Sequence, residues 1–324
     1  MIGDDPPPAR GVLPRAESPT ICESGAVPLC AEEATVATSE KSAKRHKVAG
    51  VASAPDGIVA EVAAFGASAL GLGDPGTRLK ALASFGTSLL RVNRGVIVKG
   101  HRKTPKKPLQ LFEAEYCPFC RHVRETLTEL DLDAMIYPVP KGGKRYRQRL
   151  VRLSGKATVP FLHDPNTGTK LHESEAIAQY LYKEYGHDWE KVPERRLTTS
   201  TLASVTRGKL GMFAKPSKAP KKPLELYSFE GSPYARLVRE TLCELEIPYL
   251  LHNVGKTPGS HADYLPPEYR ADYVHDYMPG TENRRKFLER AGRVMVPYII
   301  DPNTNVAMFE TRDIQNYLRK TYGA

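Results

Sequence analysis

The sequence predicts an α/β protein of two tandem units, each a four-stranded mixed sheet flanked by helices, behind a disordered tail and a short helical segment. Three observations carry that expectation. The first is an internal repeat: Lys107–Leu130 lies on Lys222–Leu245 at an offset of 115, with 14 of 24 positions identical. The second is a later match at a different offset, where Val159-Pro-Phe-Leu-His-Asp-Pro-Asn-Thr-Gly168 falls on Val296-Pro-Tyr-Ile-Ile-Asp-Pro-Asn-Thr-Asn305, 137 residues on. The growth of the offset from 115 to 137 assigns 22 extra residues to the second copy, around His261 to Arg284. A period above about 100 residues means duplicated domains, because solenoid repeats run about 20–50. The third is the element order that each copy spells.

In the first copy a short alternating strand holds Leu109 and Leu111 and enters the Cys117-Pro-Phe-Cys120 turn. A helix follows with Val123, Leu127 and Leu130 on one face. A second strand spans Met135 to Val139, and a basic helix covers about Lys144 to Leu153. Val159-Pro160 opens a third strand, Asp164-Pro-Asn-Thr-Gly168 turns it, and Lys170-Leu171 returns. The closing helix carries Ile177, Tyr180 and Leu181, mirrored by Ile314, Tyr317 and Leu318. Strands alternating with helices in this way give a small mixed sheet with helical layers.

The predicted boundaries are a disordered or targeting tail over 1–56, a helical segment over 57–98, a first α/β domain over 99–190, a linker with a short helix over 191–221, and a second α/β domain over 222–324. The tail holds seven prolines and no helical or strand period, and its Asp and Glu residues argue against an acid-poor transit peptide. The segment before each copy also repeats, with Ser88–Gly95 set on Thr201–Gly208.

Composition narrows the function classes. The chain has 324 residues, 40% of them hydrophobic and 26% charged, which excludes wholesale disorder. Its longest apolar stretch, Gly57 to Gly73, is interrupted by Glu61 and falls short of the about 20 apolar residues that a membrane-spanning helix needs. The net charge is +10, from 47 Lys and Arg against 37 Asp and Glu. It gathers in Lys99–Lys107, Lys141–Arg152 and Arg207–Lys222. Such runs attract an anionic ligand, an acidic protein partner, a membrane surface or a larger complex, or simply form a solvated face. Nucleic acid is not expected, since no recognition motif or aromatic platform accompanies the charge.

Five cysteines are too few for a disulfide scaffold, and only Cys117 and Cys120 form a close pair. C-x-x-C after a strand and at the mouth of a helix suits redox chemistry. The helix N-terminus favours a thiolate on the first sulfur, and the second, a turn on, resolves a mixed disulfide. Pro118 fits the first helical position, where its missing N–H costs nothing. The same pair also fits a dithiol without a redox role, an iron–sulfur cluster shared between copies, or half of a zinc site, although a zinc site wants four ligands and no second such pair is present. No metal is expected. His122, just after the motif, is expected on the solvent side of its helix, and Cys243 as a buried core thiol.

The run Cys117-Pro-Phe-Cys120, Val159-Pro160 and Glu173-Ser174-Glu-Ala-Ile177 resembles the glutaredoxin-like N-terminal domain of glutathione S-transferases, and the two-copy layout resembles plant and algal tandem proteins of that kind. The resemblance covers roughly 57–324. It implies thioredoxin-like folds with a cis peptide before Pro160, and glutathione as ligand. It further implies that the backbone of Val159 holds the cysteinyl part, that Glu173 and Ser174 hold the γ-glutamyl end, that Cys117 is nucleophile and that Cys120 resolves. The implied function is a glutathione-linked thiol–disulfide oxidoreductase acting on glutathione or protein disulfides. The rival reading is a non-catalytic scaffold or peripheral subunit of a larger plastid complex. The resemblance also implies a chloroplast location, with the cytoplasm as the alternative.

Two departures qualify the carry-over. The approach Glu113-Ala-Glu-Tyr116 is acidic, and nearby carboxylates are expected to raise the thiol pKa. The second copy reads Ser232-Pro-Tyr-Ala235 and so lacks both thiols, although it keeps Val296, Pro297, Glu310 and Thr311 as a degenerate site. Ser-Pro-Tyr-Ala also resembles the serine motif of some plant glutathione transferases. Those use a following all-helical domain, so transferase activity is not expected with the second copy ending at Ala324. The second copy is expected to be a redox-silent docking half packed on the first, with Tyr264, Tyr269, Tyr273 and Tyr277 of its insert facing a partner.

Overall fold

A computed structural model describes residues 94–187, 210–264 and 278–324, with the side chains of His261 and Tyr264 excepted. The tail, the helical segment except its last residues 94–98, most of the linker, and Tyr269, Tyr273 and Tyr277 lie outside the described residues.

Each copy forms the predicted order. The first has β1 (Leu109–Glu113), α1 (Pro118–Glu129), β2 (Ala134–Pro138), α2 (Arg147–Ser154), β3 (Phe161–Asp164), β4 (Thr169–His172) and α3 (Ser174–Tyr185). The second repeats it as β5 (Leu224–Ser228), α4 (Pro233–Glu244), β6 (Tyr249–Asn253), α5 (Glu282–Ala291), β7 (Tyr298–Asp301), β8 (Val306–Phe309) and α6 (Thr311–Tyr322), with a 3-10 turn at His261–Tyr264. Within each copy the first two strands run parallel and the hairpin joins antiparallel, which is the expected mixed sheet.

The turn chemistry anchors that hairpin. Asn166 N–H donates to Asp164 Oδ1 at 2.7 Å, while the hydroxyls of Tyr180 and Tyr185 on α3 donate to Oδ2 at 2.6 and 2.5 Å. The second copy repeats the lock with Asp301, Asn303, Tyr317 and Tyr322. One buried carboxylate thus fastens turn, strand and final helix in each copy.

The two four-stranded sheets are continuous. β2 pairs antiparallel with β6, giving one eight-stranded sheet in the order β4-β3-β1-β2-β6-β5-β7-β8. In its register Met135 faces Leu250, its own counterpart at offset 115. A pseudo-twofold axis therefore passes through that pair, and the contact is isologous as in a symmetric dimer. A single apolar cluster runs beneath, from Leu109, Val123 and Ile177 of the first copy to Leu224, Val238 and Ile314 of the second. The pairing hides the one edge of each sheet that would otherwise present unpaired N–H and C=O groups beside the core.

The arms before the copies cross the axis. Val98 N–H donates to Lys256 O and Lys256 N–H to Val96 O, while Lys141 N–H donates to Met212 O and Ala214 N–H to Lys141 O. Gly95 and Gly211 open these arms, each at φ +69. At Gly95 a Cβ would lie 2.9 Å from Glu230 Cβ, so both the dihedral and the close approach require glycine. This corrects the register read from sequence: Gly95 corresponds to Gly211, not Gly208.

Candidate functional site

Cys117 sits at the N-cap of α1, with Pro118 in the first helical turn as predicted. It is 8% exposed, whereas Cys120 is fully buried beneath it. Phe119 between them stands out at 38% exposure. Val159, which precedes the cis peptide to Pro160, packs against the cluster that holds both cysteines. The nucleophile candidate is therefore buried but for a small opening to solvent, the resolver candidate is fully covered, and the residue before the cis proline packs on the same cluster.

The Cys117 thiol is lowered to about 7. The Cys120 thiol, donating to it, is the largest cause; burial opposes, and the N–H groups of Cys120 and Phe119 assist. Cys120 moves the opposite way, well above the usual thiol range, because it is buried and faces the Cys117 sulfur. The acidic lead-in thus does not raise the nucleophile as expected. Glu113 is bound by Arg124, and Glu115 by Arg239 of the other copy at 3.1 Å. Their charge is spent on arginines, and Glu113 acts on Cys120 instead.

Those arginines form a buried network across the pseudo-twofold axis. Glu230 accepts from Arg124 at 2.8 Å and from Arg239 at 2.9 Å, and Arg124 lies 3.4 Å from Glu115. At offset 115 Arg124 is the counterpart of Arg239, and Glu115 of Glu230, so each copy lends its glutamate to the other's arginine. Glu113 has Ser228 as its counterpart, which leaves an extra carboxyl on the first side. Burial raises Glu113 to about 7 against the pull of Arg124. From sequence, Glu113 and Glu115 read only as an acidic approach to the thiol, and neither the arginines nor Glu230 stand out as their partners. The signal was present in the identical Arg-x-x-Arg-Glu runs at 121–125 and 236–240, whose i, i+3 spacing sets both arginines on one helix face.

Two other placements need correction or addition. His122 is fully buried rather than solvent-facing, its Nε2 3.5 Å from Glu175 Oε2 in the first turn of α3, because α3 covers that side of α1. Cys243 is a buried thiol as expected, but it lies in the same cluster as Cys117 and Cys120 and accepts the Glu115 N–H at 3.5 Å.

Glu173 and Ser174 open α3. Glu173 is exposed, has φ +69 and does not cap its own helix, and Ser174 is buried. The second copy keeps the same backbone at Glu310, φ +70, before Thr311, and the cis peptide Val296-Pro297. Its Ser232 is 2% exposed, and the hydroxyl accepts the Ala235 N–H at 3.2 Å as an ordinary helix cap.

Of the basic run 141–152, Arg145 and Arg147 are tied to backbone carbonyls, and Arg149 stacks 4.3 Å above Tyr137. Lys141, Lys144 and Arg152 are exposed. Among the described residues no group of three or more His, Cys, Asp or Glu is arranged to hold a metal ion, and no helix is long and apolar enough to cross a membrane.

Comparison with known proteins places this geometry in context. The model of the glutathione S-transferase N-terminal domain matches twice, over residues 111–191 and 226–324, more than half of the chain. No curated protein matches. Two solved structures of the Bombyx mori glutathione transferase BmGSTD1, one of them a complex, are 27% and 29% identical. They cover 30% and 29% of this chain and 45% and 43% of their own, with TM-scores of 0.26 and 0.24. The chain thus spans less than half the length of the solved structures it matches.

Proposed function

The chain belongs to the glutathione S-transferase N-terminal domain family, and from that premise we propose that its first copy is a glutathione-linked thiol–disulfide oxidoreductase. The observation that carries the reading is the Cys117 thiol, lowered to about 7 at a helix start and just reachable from solvent. At neutral pH about half of it is thiolate, the attacking form.

Cys117 thiolate attacks the glutathione-side sulfur of a mixed disulfide. The new bond is Cys117–S–S–glutathione, and the protein thiolate leaves and takes a proton from water. Cys120, once deprotonated, attacks Cys117 Sγ and releases glutathione thiolate, leaving a Cys117–Cys120 disulfide. Alternatively a second glutathione thiolate attacks the bound glutathione sulfur, forming glutathione disulfide and restoring Cys117. The high pKa of Cys120 keeps the first product from closing at once, which favours the second route.

The residues that would hold glutathione are the backbone of Val159, Glu173 and the first turn of α3 at Ser174. The fit is supported by Val159 packing on the cluster that holds the cysteines and by the N-cap of α3, where Glu173 does not cap the helix and first-turn N–H groups suit a carboxylate. The second copy, with Ser232 capping its own helix, is redox-silent and buttresses the first. Its partner is an acidic protein or larger complex, and the site of action is the chloroplast by resemblance; a full-length fluorescent fusion confined to the cytoplasm would overturn that location.

The test is turnover of a glutathione mixed disulfide. Cys117→Ser is expected to abolish it and Cys120→Ser to retain part. If Cys117→Ser matches the wild type, the scaffold reading replaces this one.

A further inference from the structure

The pseudo-twofold axis relates two clefts that are built alike and filled differently. One lies where Arg145 precedes α2. Its guanidinium donates to the carbonyls of Leu245 and Glu246 at 2.9 and 2.6 Å and to Ser217 O at 2.9 Å, while its own N–H donates to Glu246 Oε1 at 3.0 Å. That cleft is plugged by an arginine from the chain itself.

The other cleft encloses about 210 Å³ between the first connector, the turn after α1 and the start of α5. His101, Lys106, Asp131, Asp133, Glu282 and Lys286 line it. The correspondence is residue by residue. Asp131 matches Glu246 at offset 115, and both have left-handed backbone, φ 53 and 48. Gly155 and Gly292, the αL caps that end α2 and α5, fix the offset of 137 that sets Glu282 where Arg145 stands. Here, then, the plug is replaced by a residue of opposite charge.

The carbonyls equivalent to those that take the Arg145 guanidinium have other donors here, and the acceptor left unmatched is a carboxyl oxygen. The Leu130 carbonyl takes His101 Nδ1 at 2.9 Å, and the Asp131 carbonyl takes Asn283 Nδ2 at 3.1 Å. Asp133 is held by His252 at 2.6 Å, and Glu282 by Lys286 at 2.5 Å. Asp131 is 5% exposed, and its Oδ1 has no hydrogen-bond partner, although the Asn283 N–H and, farther off, Arg284 face the carboxyl. Burial and Asp133 raise this carboxyl to about 7; a guanidinium fork is the donor whose geometry suits its unmatched oxygen and whose charge favours the ionised form.

We propose that this cleft binds a guanidinium group from outside the chain, seated on the Asp131 carboxyl beside the position that Arg145 fills on the other side of the axis. The group comes from a free small molecule or from an arginine side chain of a protein.

The test titrates the full chain by calorimetry with two guanidinium probes, agmatine and a blocked Gly-Arg-Gly peptide, and with the neutral Gly-citrulline-Gly analogue. Both the site and its chemistry are supported if a guanidinium probe binds at least tenfold tighter than the citrulline peptide and Asp131→Asn removes that preference. The tighter of the two probes identifies the source. Glu282→Arg, which restores an internal plug, is expected to block both probes and raise the melting temperature. Equal binding of arginine and citrulline peptides, or unchanged binding to Glu282→Arg, would overturn the proposal. Mixed-disulfide turnover, which depends on Cys117, is expected to be unchanged in both variants.

Discussion

At Cys117 a single sulfur is governed by neighbours a turn away. The Cys120 thiol and two backbone N–H groups hold it near 7 in spite of burial. The thiolate fraction rises with pH, so the alkylation rate of Cys117 by iodoacetamide is expected to be half-maximal near pH 7. Cys120→Ala removes the largest favourable contact, and its midpoint is expected to move up toward the ordinary thiol range. A midpoint unchanged in that variant would transfer the effect to the helix N-terminus alone. His122 makes the same point in reverse: its side is set not by its own helix but by Glu175 and the covering α3.

Among the elements, the hairpin and final helix depend on one carboxylate in each copy. Burial pushes Asp164 up, but the Tyr180 and Tyr185 hydroxyls and Asn166 outweigh it and hold it below the usual range. Its stabilisation is therefore fully present above the ordinary Asp pKa and is lost as pH falls through the lowered value. Asp164→Ala strands two tyrosine hydroxyls and is expected to cost about 2–4 kcal/mol in urea denaturation, since hydrogen bonds to a charged group contribute about 1.5–3 each and orphaned donors add a penalty. Tyr180→Phe, which removes the outer donor only, is expected to cost less than half as much.

For the whole molecule, the question is what makes two copies one body. Arg239 binds Glu115 and Glu230 from the interior of the axis. Arg239→Met takes one cation from those buried carboxylates and leaves Glu115 only the longer contacts of Arg124 and Arg236; it is expected to destabilise by about 3 kcal/mol, whereas adding Glu115→Leu recovers part of the loss. An additive double variant would show that the two residues do not interact. A second tie crosses at His252, which lies 2.6 Å from Asp133 of the first copy and 3.3 Å from Glu225. Burial lowers it, but the two carboxylates win and push it up to about 9 from 6.5. That tie is complete below pH 6.5 and disappears as pH rises through 9, a loss of about 2–3 kcal/mol that His252→Gln is expected to abolish.

What the sequence determined by itself was everything written in short-range periods and in likeness between its own halves. The β-α-β order, the Cys-Pro-Phe-Cys turn at a helix mouth and the Asp-Pro-Asn hairpin are local patterns, legible because each element's period and turn residues are contained in one segment. The duplication was legible because identity at a constant offset needs no structure. Only the tertiary structure decided that β2 and β6 pair, since a strand's pattern says which face is buried and not which neighbour lies beyond its edge. The sign of the effect at Cys117 was decided there too: Glu113 and Glu115 read as repulsive until arginines, one of them 124 residues away, neutralise them. The open cleft at Asp131 belongs to the same class. It exists because residues from a connector, a turn and the other copy's helix meet, and electrostatic pairing of that kind depends on distance in space, which the linear order does not carry.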